Sequence, residues 1–119
     1  MAIQSFKEII AWQKAHELAL KVYAVTKSFP CNEEFVLINQ MRRCVISVPS
    51  NIAEGFARKS LKDSKRFYLI AEGSLEELKY QLLLSKDLGY MDLKKYNKLE
   101  IITEEVSKLL GSWKRSQKY

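Results

Sequence analysis

Apolar residues recur every three or four positions over most of the chain, and few residues interrupt them. From residue 37 to 56, Leu37, Met41, Cys44, Val45, Val48, Ile52 and Phe56 step at helical spacings and line one face of an α-helix. Opposite them, Gln40, Arg43, Ser47, Ser50, Glu54 and Arg58 repeat at the same period. With 4 Gly and 2 Pro in 119 residues, the chain has too few turn formers for an all-β fold. Long helices are expected. Pro49 falls inside the series. Its missing donor and its ring cost a helix about 3 kcal/mol and normally kink it. Ser47, Ser50 and Asn51 can satisfy the backbone groups a kink frees. The pattern continues on both sides, which predicts one kinked helix.

Three further helices follow from the same reasoning. Ser5 and Glu8 have capping-box spacing and open the first, whose buried face is Trp12, Ala15, Leu18, Ala19, Val22, Val25 and Phe29. Pro30 ends it, and Asn32 caps the second ahead of Glu33 and Glu34. Ser60 and Asp63 cap the third, with Ser64, Phe67, Tyr68, Ala71, Ser74, Leu75, Leu78 and Leu82 facing the core, and Leu88-Gly89 stops it. The fourth starts near Asp92 and buries Tyr96, Leu99, Ile102, Val106, Leu109, Leu110 and Trp113, with Glu104 and Lys108 paired outside. Short connections between helices imply an all-α, up-down-up-down antiparallel four-helix bundle with a proline kink in helix two, forming a single domain over residues 1–119.

Helix three carries a second apolar strip, Leu69, Ile70, Gly73, Tyr80 and Leu84, that its core face does not use. A helix in a monomeric bundle needs one buried stripe. Gly73 costs roughly 1 kcal/mol against Ala, which close approach by a neighbour explains. The strip predicts an oligomer interface.

Several functional classes lack their parts. The lone histidine, His16, sits among Lys14, Glu17 and Lys21, as on a solvated helix face. Without a second His or a Cys pair there is no zinc site and no Cys-His nucleophile. Glu72, Glu76 and Glu77 have no Glu-x-x-His to complete a di-iron site, and pairing with Lys79 or other basic neighbours is the simpler role. No Gly-rich phosphate loop precedes a helix. The expectation is a protein without catalytic residues, metal or cofactor. No apolar run reaches the ~18 residues of a membrane span, and the N-terminal stretch lacks a signal peptide's basic n-region. Cys31 and Cys44 follow no ligand spacing, which fits a reduced, cytoplasmic protein.

The net charge of +6 is concentrated. Arg42, Arg43, Arg58, Lys59, Lys62, Lys65 and Arg66 are opposed between residues 42 and 66 only by Glu54 and Asp63. A clustered excess of this kind is the footprint of a polyanionic partner.

The runs "AWQKAHELALKVYAVTKSFP", "INQMRRCVISVPSNIAEGFAR" and "LIAEGSLEELKYQLLLSKDLGY" closely resemble the bacterial 23S rRNA intervening-sequence proteins, which are four-helix bundles. The resemblance extends from about Phe6 to Trp113, and Pro-Ser-Asn-Ile-Ala-Glu-Gly is its most specific part. These sequences are also similar to the accessory variability proteins of diversity-generating retroelements. Those are basic homopentamers associated with nucleic acid and a reverse transcriptase, so the resemblance implies a pentamer. Val36 and Ala57 stand where glycines are expected in the family, which predicts more regular ends for helix two. Carried over by position, the resemblance marks Arg42, Arg43, Pro49, Ser50, Asn51, Glu54, Gly55 and Arg58.

Two roles are open to these residues. Ser47, Pro49, Ser50, Asn51, Glu54 and Gly55 read as a structural polar network, which Arg43 could join through Glu54 on the same face. Arg58, Lys59, Lys62, Lys65 and Arg66 read as the phosphate-contacting group, with Arg42 and Arg43 completing the nucleic-acid candidates. The functional expectation is a small non-enzymatic oligomer that binds nucleic acid, RNA before DNA, through backbone charge. The alternative is a homo-oligomeric scaffold for a protein partner.

Overall fold

The computed structural model describes residues 2–118; Met1 and Tyr119, the ends of the expected 1–119 domain, lie outside the described residues. Ser5 and Glu8 do form a capping box, but it closes a single 3-10 turn, Phe6–Glu8, ahead of the first long helix. Glu8 Oε2 accepts the amides of Gln4 and Ser5 at 2.7 and 2.8 Å. Ile9 is then extended and buried, and helix α1 (Ile10–Thr26) begins after it. The extended residue turns the Ile9 side chain into the core, which a helix started at Ser5 would not do.

α1 stops at Thr26, earlier than the spacing implies. Thr26 Oγ1 donates to the Val22 carbonyl at 2.8 Å, and Phe29 is buried from the connection, packing on the Tyr90 ring at 5.5 Å. The entry to helix two also differs from the expected one. Asn32 does not cap it; the chain passes through a 3-10 turn (Cys31–Glu33) and a π-helical turn (Glu34–Ile38) into α2 (Asn39–Ala57), with no side-chain cap. Leu37 and Ile38 are both buried within the π-helical turn, directly ahead of α2. The regular start expected from Val36 is therefore absent. Glu33 accepts the Tyr90 hydroxyl at 2.7 Å instead of lying free at a helix N-terminus.

α2 continues through Pro49 as one helix, burying Met41, Cys44, Val45, Val48, Pro49, Ile52 and Gly55. α3 (Leu61–Asp87) is capped by Ser60, whose Oγ accepts the Asp63 amide at 3.1 Å. It ends in a Schellman motif. Gly89 has φ +79, its amide donates to the Lys86 carbonyl, and the Tyr90 amide reaches Ser85, each at 2.9 Å. Asp92 then caps α4 (Leu93–Ser116), accepting the Lys95 amide at 2.8 Å.

The described residues form four long helices and no strand. α1 packs on α2 and α4, and α3 on α2 and α4, with α2–α3 the most extensive contact. The result is a four-helix bundle 46 Å long. Leu18, Val22, Met41, Val48, Ile52, Leu75, Leu78 and Leu110 fill its centre, each contributing roughly 1.5–3 kcal/mol by leaving water. Polar groups cross-link the largest interface. Ser47 and Ser74 hydroxyls are 2.7 Å apart, and Asn51 Nδ2 donates to the Ser47 carbonyl and hydroxyl at 2.8 and 2.9 Å. On α4, Glu104 pairs with Lys79 of α3 at 3.3 Å rather than with Lys108. Among the described residues no helix is long and apolar enough to cross a membrane.

Candidate nucleic-acid interface

The corner between α2 and α3 is built by close approach. Gly55, in the last turn of α2, leaves room for the buried Tyr68 ring, and its carbonyl accepts the Ser64 hydroxyl at 2.8 Å. Arg58 then takes an extended conformation, the chain turns through Lys59 and Ser60, and α3 begins. Five cationic side chains, Arg58, Lys59, Lys62, Lys65 and Arg66, therefore come from two short helix ends and the link joining them. Lys62 lies one turn from both Lys65 and Arg66.

Phe67 organises the two arginines. The Arg58 guanidinium lies 4.5 Å from its ring centroid and that of Arg66 lies 4.9 Å away. Stacking holds a guanidinium in place without removing its charge. Arg58 also donates to Glu54 at 2.8 Å, within α2. The sequence pattern assigns Phe67 to the core, but it is half-buried and supports these cations. The signal for it is its position directly after Arg66 and one link away from Arg58. Among the described residues, no carboxylate lies within 4.0 Å of the charged nitrogens of Lys59, Lys62, Lys65 or Arg66. This leaves their charges available to an anion.

Arg42 and Arg43 stand apart from this group, about 22 Å or more along α2 from Arg58. Arg42 is half-buried against α1: its guanidinium lies 4.6 Å from the Tyr23 ring centroid, and Nε donates to Thr26 Oγ1 at 3.0 Å. Arg43 is exposed. The last turn of α4 brings further cations beside α3. Trp113 meets Tyr68 edge-on at 6.4 Å, and Lys114 pairs with Glu72 at 2.8 Å, with Arg115 next to it.

The expected polar network separates into parts. Ser47 and Asn51 join Ser74 across α2 and α3, Pro49 and Gly55 are buried, Ser50 is exposed, and Glu54 turns to Arg58 rather than Arg43. Glu72, Glu76 and Glu77 have separate partners: Lys114, Lys79 at 2.7 Å, and the Cys44 thiol at 3.3 Å. Burial pushes the Cys44 thiol pKa up; the Gln81 amide, donating to Sγ, lowers it, and Glu77 raises it further. His16 stacks on Trp12, with ring centroids 5.1 Å apart. Among the described residues no group of three or more His, Cys, Asp or Glu is arranged to hold a metal ion.

Of the second apolar strip, Leu69, Ile70, Gly73 and Tyr80 are exposed or partly so, with Tyr80 at 62% and Leu69 at 57%. Leu84 is half-buried against the core. Among the described residues nothing lies within 4 Å of where a β-carbon on Gly73 would stand, so the close approach expected there is not seen.

A sequence model of the 23S rRNA-intervening sequence protein family matches residues 7–112. The fold is similar to the crystal structure of a protein of unknown function from the S23 ribosomal protein family of Bacteroides thetaiotaomicron VPI-5482. The two agree with a TM-score of 0.81 at 28% identity, over 90% of this chain and 100% of that one. No curated protein matches the chain.

Proposed function

The chain belongs to the 23S rRNA-intervening sequence protein family, and from that premise we propose that it is a non-enzymatic, cytoplasmic nucleic-acid-binding protein directed at RNA. The α2–α3 corner is its contact surface. The observation that carries this reading is the set of unpaired lysines, Lys59, Lys62 and Lys65, beside two arginines held on Phe67. Such a surface contacts phosphates, which position a nucleic acid without reading its bases. The corner carries several exposed charges spread over two helix ends and their link, which suits an extended polyanion. The family's link to ribosomal RNA agrees in kind.

Association between copies accompanies this reading. Leu69, Ile70, Gly73 and Tyr80 form a strip open to solvent on the helix that begins at the basic corner, so an oligomer would repeat the corner and multiply its phosphate contacts. The resemblance to accessory variability proteins favours a pentamer. The same strip favours the second reading, a homo-oligomeric scaffold for a protein partner. The two separate on purified protein. Nucleic-acid binding predicts an elevated 260-to-280 nm absorbance ratio that falls after nuclease and high-salt treatment, followed by rebinding of structured RNA at low salt. Failure to bind RNA or DNA at low salt would leave the scaffold reading.

A further inference from the structure

A second surface lies between the C-terminal half of α1 and the N-terminal half of α4. It is a groove of about 730 Å³, within the range of ligand-binding clefts. Its apolar lining includes Val25, Leu99, Ile101 and Ile102, and Ile101 is 60% exposed. Lysines stand on both banks, Lys21 of α1 with Lys27 just past its end, and Lys95 and Lys98 of α4. Among the described residues Glu17 is the one acidic residue lining it, and Lys14 holds that carboxylate at 3.1 Å. Among the described residues, none of the four bank lysines has a carboxylate within 4.0 Å, whereas Lys14, Lys79, Lys86 and Lys114 all do.

We propose that this groove docks an amphipathic helix with acidic flanks, supplied by a partner protein. An exposed apolar floor between unmatched cations calls for a ligand that is apolar on one side and anionic at its edges. The α1 part of the lining runs from Glu17 to Val25, about 12 Å or roughly two helical turns, and Lys27 and Ser28 just past the helix extend it. A docked helix presents apolar anchors at i, i+3 or i+4, and i+7. Acidic residues beside those anchors would reach lysines on both banks. Lys21 and Lys27, six residues apart, stand on one bank, and Lys95 and Lys98 occupy the opposite one. Lys98 is also about 24 Å along α4 from Lys114 beside the basic corner, so this surface is distinct from the proposed RNA contact.

The test is fluorescence anisotropy of the purified full chain with a labelled synthetic helix of about four turns, bearing Leu at the anchor positions and Glu on both flanks. A scrambled peptide of the same composition is the control. Saturable binding of the patterned peptide is expected, weakening as salt rises. Ile101→Glu should lower its affinity about tenfold or more. Lys95→Gln with Lys98→Gln should lower it several-fold, and Lys62→Gln with Lys65→Gln should leave it unchanged. Circular dichroism checks folding, and the exposed lysine pair gives a readout independent of the Ile101 substitution. Equal binding of the scrambled peptide, or an affinity unmoved by either groove variant, would overturn the proposal. So would a fall in oligomeric mass with Ile101→Glu, which would assign the groove to a second copy of the chain. A parallel loss of RNA binding on changing Lys95 and Lys98 would assign the groove to nucleic acid and overturn the proposal equally.

Discussion

Gly55 of α2 lies against the ring of Tyr68 of α3 so closely that a β-carbon at position 55 would overlap it. Tyr68 is fully buried and has little room to move aside. This contact sets the distance between the two helix ends at the basic corner, and the bond from Ser64 to the Gly55 carbonyl fixes their register. The packing of one glycine therefore bears on how five cations are displayed.

Gly55→Ala should destabilise the protein by about 1–3 kcal/mol, the usual range for overpacking a core. Helix propensity alone would favour Ala by up to about 1 kcal/mol. The two effects have opposite signs, so urea denaturation distinguishes them. A stabilised variant would show that the Tyr68 contact does not constrain the corner.

The two thiols should react at very different rates. Cys31 is exposed, while Cys44 is buried with its pKa raised, which lowers the thiolate fraction that attacks. A disulfide reagent at mildly alkaline pH should modify one thiol per chain quickly and the second only on denaturant addition. Raising the pH toward the elevated Cys44 value should not by itself make Cys44 fast, since burial also restricts access. Two equally fast phases in native protein would contradict the packing around Cys44.

The strip on α3 predicts self-association. Leu69→Glu with Tyr80→Glu places two charges where the single chain buries neither side chain, so helicity should persist. Light scattering after size exclusion should show several chains for the wild type and fewer for the variant. A monomeric wild type at micromolar concentration would contradict the interface.

Much of this architecture is written in local patterns. The buried face of α2 follows its helical period from Met41 to Ile52, and the ends of α3 follow Ser60 and Leu88-Gly89 because caps are determined by nearby residues. The π-helical turn at Glu34–Ile38 has no such signature. Glu104 has a suitable local partner in Lys108 but pairs with Lys79 across helices. The site shows the same division. Charge clustering identifies Arg58 through Arg66, but cannot show that Arg42 packs on Tyr23 or that Phe67 carries two guanidiniums, because both depend on how helices dock.

The central claim is that the lysines of the α2–α3 corner contact phosphates. The most direct measurement is the salt dependence of binding to a structured RNA, for wild type and for Lys62→Gln with Lys65→Gln. Each phosphate contact releases counterions, so wild-type affinity should fall steeply with salt. The double variant should lower the slope by roughly 1.5–2 for each chain that makes both contacts. It should also weaken unrelated RNA sequences about equally. Identical slopes and affinities for the two proteins would contradict the assignment of these lysines, and absence of binding by the wild type at low salt would contradict the nucleic-acid function itself.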